Sequence, residues 1–168
     1  MFKIKFAKIE KESLNNGPGV RVALWCQGCS LNCKGCHNPE THNFNEGSFL
    51  LRKDVDDIFK ELEKSYVDGI TFTGGHPLEP ENIEVCTELA AQINEKFPDK
   101  TIWLYTGWIW ENIKDLAIFK YVDVVVDGPY IESERDVSLP FRGSKNQRLI
   151  DVKESLKKNK TILWSLAE

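Results

Sequence analysis

The sequence predicts an α/β fold with a mostly parallel, open sheet, and two observations carry that prediction. Short apolar runs alternate with segments of helical periodicity, and the predicted strands repeatedly end in glycine-containing turns. Four such strands linked by three helical crossovers fall short of a closed eight-stranded barrel, which implies an open, partial (β/α) barrel with a broad cleft.

The elements follow in order. Phe2, Ile4 and Phe6 alternate with lysines as a strand does. Asn15-Asn16-Gly17-Pro18-Gly19 marks a turn, and Val20 to Trp25 reads as a second extended segment. Cys26 to Glu46 has no sustained periodicity and reads as a long loop, a kind of segment that usually binds something or moves. Val55, Ile58, Phe59, Leu62 and Tyr66 place a helix over Asp54 to Tyr66, followed by a strand from Ile70 to Thr73 that ends in Gly74-Gly75. Pro80 starts a second helix, with Glu81 and Glu84 in its first turn, running to Lys96. Thr101 to Tyr105 is a strand ended by Thr106-Gly107, and Ile109, Ile113 and Leu116 define a third helix. Val122 to Val126 is a strand ended by Asp127-Gly128-Pro129, Leu149-Ile150 and Ile162-Leu163-Trp164 are candidates for short strands, and Phe141-Arg142-Gly143-Ser144 reads as loop. Parallel sheets place ligands beyond the carboxyl ends of their strands. There the cysteine loop, Gly74-Gly75, Thr106-Gly107 and Asp127-Gly128 can meet.

Composition bounds the function. Residues 1–168 read as one domain, and a chain of this length buries about 70% of its unfolded surface, so no metal is needed merely to hold it together. With 22 Lys and Arg against 26 Asp and Glu, and no dense basic block, nucleic acid is a poor partner. The N-terminus lacks the apolar core of a signal peptide and no stretch approaches a membrane span, so the expected location is the cytoplasm.

Four of the five cysteines, Cys26, Cys29, Cys33 and Cys36, lie within eleven residues, and a reducing compartment favours metal or redox chemistry over disulfides. Cys86 sits at helical spacing from Ile83, Leu89, Ala90 and Ile93 and reads as a core thiol. A zinc site built from all four clustered cysteines is one option, but three residues between Cys29 and Cys33 crowd its two halves. An iron-sulfur cluster is the other; the usual ferredoxin run of four cysteines and a proline does not occur here.

Cys29-x3-Cys33-x2-Cys36 resembles the motif of the radical S-adenosylmethionine superfamily, and Gly74-Gly75 closes the next strand, where that superfamily carries its glycine motif. More narrowly, the chain resembles the family of activating proteins of anaerobic, class III ribonucleoside-triphosphate reductases. The stretches that carry this are Asn16-Gly17-Pro18-Gly19-Val20-Arg21, Gly28-Cys29, Cys33-Lys34-Gly35-Cys36-His37-Asn38, Thr73-Gly74-Gly75-His76-Pro77-Leu78, Tyr105-Thr106-Gly107, Val126-Asp127-Gly128 and Arg142-Gly143-Ser144-x-Asn146-Gln147.

The resemblance implies a fold of the radical S-adenosylmethionine type and a [4Fe-4S] cluster on Cys29, Cys33 and Cys36, with the fourth iron chelated by S-adenosylmethionine. It implies cofactor contacts from Gly35, Cys36, His37, Asn38, Gly74, Gly75 and Thr106, and it assigns no catalytic side chain. The implied reaction is reductive cleavage of S-adenosylmethionine, followed by abstraction of a glycine Cα hydrogen on the large reductase subunit. A low-potential donor such as flavodoxin or ferredoxin supplies the electron. The alternatives are activation of another glycyl-radical enzyme, such as pyruvate formate-lyase, and a non-enzymatic iron-sulfur electron-transfer module. Gly35 stands where many superfamily members carry an aromatic residue, His76 replaces an acidic residue, and Cys26 reads as a non-ligand neighbour of the cluster. Gly17 and Gly19 read equally as a turn or as ligand contacts. Arg142, Asn146 and Gln147 either recognise the partner or satisfy loop backbone.

Overall fold

A computed structural model describes residues 3–166. Its strands are β1 (Lys5–Ser13), β2 (Val20–Cys26), β3 (Ser48–Phe49), β4 (Val67–Gly74), β5 (Thr101–Tyr105), β6 (Val124–Asp127) and β7 (Arg148–Asp151). Its α-helices are α1 (Arg52–Leu62), α2 (Ile83–Lys96), α3 (Trp110–Ile113) and α4 (Val152–Lys158). The strands form one sheet in the order β3-β1-β2-β4-β5-β6-β7. β2, β4, β5 and β6 are mutually parallel, as the strand-helix alternation predicts, while β1, β3 and β7 add antiparallel edges.

The central strands are nearly continuous in apolar residues because helices cover the sheet. Val22, Leu24, Ile70, Phe72, Ile102 and Leu104 are buried together with Val55, Ile58 and Leu62 of α1 and Val85, Leu89 and Ile93 of α2. A second cluster, Trp103, Val124, Val126 and Leu149, packs with Phe141 and Trp164.

Several elements differ from the sequence reading: β3 and α4 are not foreseen there, β4 starts earlier, at Val67, β6 starts later, at Val124, and where Ile162-Leu163-Trp164 suggests a short strand Leu163 makes only an isolated bridge to Ile150. β1 runs on to Ser13, and its register shifts between Phe6 and Lys8 and between Glu10 and Ser13 break the period of two that marks a strand; Phe2 lies outside the described residues. α1 ends at Leu62, where turns closed by Lys64 N–H on Glu61 O and Val67 N–H on Lys64 O redirect the chain into β4. Tyr66 is therefore exposed rather than on the helix's core face. α2 starts at Ile83 because residues 79–82 form a separate turn, with Asn82 N–H bonded to Glu79 O. The third helix is one turn, α3, followed by a 3-10 turn over Ala117–Lys120. This break lets Trp110, Ile113, Ile118 and Phe119 all face the core, which a straight helix would not allow across the five-residue step from Ile113 to Ile118.

Arg21 ties the amino ends of the central strands together. It is fully buried and donates from Nε to Thr71 Oγ1 (2.9 Å), from Nη1 to Thr101 Oγ1 (2.8 Å), and from Nη2 to the carbonyls of Ile70 and Thr101 (2.8 Å each). β2, β4 and β5 are thus stapled by one side chain. Arg21→Met, which keeps bulk but removes every donor, should cost ~2–4 kcal/mol by urea denaturation; an unchanged stability would show that the staple is dispensable.

At the other end of the sheet, Arg148 bridges buried Asp127 of β6 and half-exposed Glu111 of α3, with a 2.8 Å contact to Glu111. The Arg148 hydrogen bond, helped by Thr161, holds the Glu111 carboxyl down at about 2, although burial opposes the shift. A depressed carboxyl contributes stability above its unfolded pKa of about 4.5 and loses that contribution as pH falls toward its folded value. Glu111→Gln should therefore lower Tm at pH 6, and the gap from the parent protein should narrow by pH 3. A gap unchanged over that range would contradict the assignment.

Candidate functional site

The carboxyl ends of β2, β4, β5 and β6 open into one cleft, and the long cysteine loop folds over it. The loop is held by its own backbone: Gly28 N–H donates to Thr41 O (2.8 Å), Cys29 N–H to His42 O (3.2 Å) and Cys36 N–H to Cys33 O (3.1 Å). Gln27 Nε2 anchors the loop's far side through the carbonyls of Glu40 and Asn43.

Cys29, Cys33 and Cys36 all line the cleft, and all are free thiols. Burial raises the Cys29 pKa, and the nearby Glu79, Cys33 and Cys36 add to the rise. Nearby positive charge or metal is what favours a thiolate in such surroundings. Among the described residues no three His, Cys, Asp or Glu side chains converge as the ligands of one ion do. A cubane makes a different demand, because its thiolates face separate irons.

Cys26 is turned away. Its Sγ lies 3.7 Å from Cys86 Sγ, both residues are fully buried, and the hydrogen bond with Cys26, together with burial, pushes the Cys86 thiol up. A zinc site using Cys26 would require breaking this core contact.

The Gly74-Gly75 turn lines the same cleft. Gly75 N–H donates to Cys26 O (2.8 Å) and His76 N–H to Gly28 O (2.9 Å), so the ends of β2 and β4 nearly touch. Gly74 has φ +94°, and a Cβ there would lie 2.8 Å from both Cys26 N and Cys26 O. A Cβ at Gly75 would lie 2.5 Å from Gly28 O and 2.8 Å from Thr41 O. Both glycines are required by close backbone approach.

Of the other residues singled out from sequence, His37, Asn38 and Thr106 also line the cleft. His37 leans on Tyr130 with ring centroids 4.8 Å apart, and the Asn38 carbonyl accepts from Thr41 N–H and Thr41 Oγ1. Gly35 is not among the lining residues: it has φ +73°, and its Cα faces the Glu132 side chain, which a Cβ would meet at 2.8 Å. Asn146 and Gln147 satisfy backbone: Asn146 Nδ2 donates to Pro129 O, while Gln147 Oε1 accepts from Gly143 N–H and its Nε2 donates to Gly128 O.

Leu31, His42, Tyr130 and Trp25 line the cleft without a clear sequence signal. Leu31 is the least legible, since it is an isolated apolar residue in a loop, yet its Cδ1 occupies the space that a Cβ at Gly107 would need, at 2.3 Å. Its place in an extended apolar segment makes Trp25 read as a core residue, but it is half-buried at the cleft, and its Nε1 donates to Glu10 Oε2 of β1 (2.7 Å).

Gly75→Ala should destabilise the fold by ~1–3 kcal/mol in denaturant unfolding, because the clash is with three carbonyls rather than with a movable side chain. A neutral substitution would show that the two strand ends are not in contact.

Residues 15–150 match the family model described as a 4Fe-4S single cluster domain. The anaerobic ribonucleoside-triphosphate reductase-activating protein of Enterobacteria phage T4 is 45% identical over 134 residues, 80% of this chain and 85% of the relative. The proteins of the same name from Vibrio cholerae and Escherichia coli K12 are 36% and 35% identical over 136 residues, 79% of this chain and 88% of each relative. With most of its length matched on both counts, and with three cysteines and a double glycine facing one cleft, the chain belongs to the family of anaerobic ribonucleoside-triphosphate reductase-activating proteins.

Proposed function

We propose that this chain holds a [4Fe-4S] cluster on Cys29, Cys33 and Cys36, cleaves S-adenosylmethionine reductively there, and generates a glycyl radical on an anaerobic ribonucleoside-triphosphate reductase. One observation carries the reading: three thiols and the Gly74-Gly75 turn line a single cleft, with the fourth nearby thiol, Cys26, committed to the core. Three thiolates leave one iron of a cubane open, and an open iron is what a chelating cofactor requires.

When bound, the cluster and S-adenosylmethionine supply a one-electron cleavage whose product takes a Cα hydrogen from a glycine of the reductase. The chain's own residues bind, orient and shield. Gly75 N–H is spent on Cys26 O, so the Gly74-Gly75 turn offers carbonyl acceptors, suited to the methionyl amino group. Cys36, His37, Asn38 and Thr106 complete the cofactor contacts. Gly35, turned toward Glu132 outside the cleft, is the one residue of the expected set that adds no contact of its own, and it brings no stacking side chain.

The open, partly parallel sheet belongs in this reading to the partial (β/α) barrel of radical S-adenosylmethionine proteins. The half-open cleft admits a segment of a folded partner, and a flavodoxin or ferredoxin supplies the electron. No helix among the described residues is long and apolar enough to cross a membrane. Action in the cytoplasm, with neither lipid nor nucleic acid as partner, is part of the proposal and rests on the reading of composition and charge.

Electron paramagnetic resonance of anaerobically reconstituted, reduced protein tests this. A [4Fe-4S]+ signal should appear and shift when S-adenosylmethionine is added. Cys29→Ala, Cys33→Ala and Cys36→Ala should each lose most of the bound iron, while Cys26→Ala should keep it. A signal indifferent to the cofactor, or iron lost only with Cys26, would overturn the reading.

A further inference from the structure

His76 stands in the turn after the double glycine, is 1% exposed, and has both ring nitrogens engaged. Nδ1 lies 3.1 Å from Glu79 Oε1, and Nε2 lies 2.8 Å from Thr106 Oγ1. The same Glu79 oxygen accepts from Ser30 N–H (2.8 Å) and Ser30 Oγ–H (2.7 Å), directly after Cys29. Thr106 Oγ1 also accepts from Trp108 N–H (3.0 Å), and the Trp108 ring meets the imidazole edge-on at 4.5 Å. Asn82 Nδ2 closes the set on the carbonyls of Gln27 and His76.

The protons in this chain have one consistent arrangement. Burial lowers the His76 pKa against the pull of Glu79, so the ring is neutral near pH 7. Burial pushes the Glu79 carboxyl up, but the hydrogen bonds from Ser30 and His76 outweigh it and leave the group ionised. An ionised carboxylate can only accept, so His76 carries its proton on Nδ1. Nε2 then accepts from the Thr106 hydroxyl, whose proton is spent there while its oxygen accepts from Trp108 N–H.

We infer that His76 and Glu79 are positioning residues: they tie the cysteine loop, through Ser30, to the opposite wall at Thr106, and so set the width and the hydrogen-bonding sense of the cleft where S-adenosylmethionine binds. The inference deepens the proposed function and rests on it for the identity of the ligand. Three segments far apart in sequence, the cysteine loop, the turn after β4 and the end of β5, are linked by four buried or half-buried hydrogen bonds that converge on two side chains. The far end of these bonds, Thr106, is itself buried but belongs to the lining of the cleft, so the His76–Glu79 pair reaches the cleft wall rather than ending in the core.

Two measurements test it. In metal-free protein at pH 7.5, nitrogen-15 spectra of the three histidines, assigned with His76→Gln, should show His76 as the neutral Nδ1–H tautomer. An Nε2–H tautomer or a charged ring would overturn the proton arrangement and the inference with it. In reconstituted protein, equilibrium dialysis with S-adenosylmethionine should show affinity weakened about tenfold or more in His76→Leu and Glu79→Leu at unchanged iron content. His76→Gln, which can donate to Glu79 and accept from Thr106, should stay within about threefold of the parent. His76→Leu binding as the parent does would overturn the inference, as would His76→Gln failing as His76→Leu does. Should the leucine variants misfold, the tautomer and the glutamine variant still decide. A parent protein that binds iron but not S-adenosylmethionine would refute the proposed function and, with it, the ligand named here, while the tautomer measurement separates that failure from a failure of the relay geometry.

Discussion

The site depends on the close approach of two backbones, at Cys26 of β2 and at the Gly74-Gly75 turn that ends β4. The parallel register pairs Cys26 with Gly74, and the next two residues of the turn, Gly75 and His76, donate their N–H groups back to Cys26 O and Gly28 O. Side chains at either glycine would occupy the space of carbonyl oxygens. The cysteine loop therefore leaves β2 already in contact with the turn after β4, and both become walls of the same cleft. Remove that contact and the three thiols keep their spacing along the chain but lose a fixed partner across the gap.

The two ends of the sheet divide the work. At the amino ends, Arg21 satisfies hydroxyls and carbonyls of β4 and β5, with no carboxylate among the described residues in contact, an arrangement that holds strands together. Its pKa is lowered to about 10 by burial, with distant carboxylates such as Asp68 opposing, so it remains charged near neutral pH. At the carboxyl ends the buried polar groups instead line or back the cleft: His76, Glu79, Asn82 and Thr106 are all inside, and all are hydrogen-bonded. Parallel strands leave such groups at one end because every crossover returns the chain to the opposite end.

The parts of the fold that sequence made legible are those in which a residue's role depends on its near neighbours. The buried central strands show as short apolar runs, α1 and α2 as apolar spacing of three and four, and the strand ends as glycine turns. Where pairing or packing overrides local pattern the reading weakens. β1 hides behind two register shifts, the third helix breaks to seat Ile118 and Phe119, and Trp25 lies half-buried at the cleft, hydrogen-bonded to Glu10 on a neighbouring strand.

For the site, spacing along the chain singled out Cys26, Cys29, Cys33 and Cys36 as one group of thiols, the narrower choice of Cys29, Cys33 and Cys36 came from the family resemblance, and the position of Gly74-Gly75 after a strand placed them at the same end of the sheet as the cysteine loop. Spacing and turn position are local properties, set by how far thiols in one loop can reach and by what a turn can accommodate. Three things were decided only by tertiary structure: that Cys26 turns to Cys86, that Leu31 lies over Gly107, and that His76 and Glu79 join Ser30 to Thr106. Each pairs residues from different crossovers, 49 or more positions apart in the cysteine-loop contacts with Cys86 and Glu79. No periodicity records such a pairing, because it exists only once the sheet has set which loops share an end.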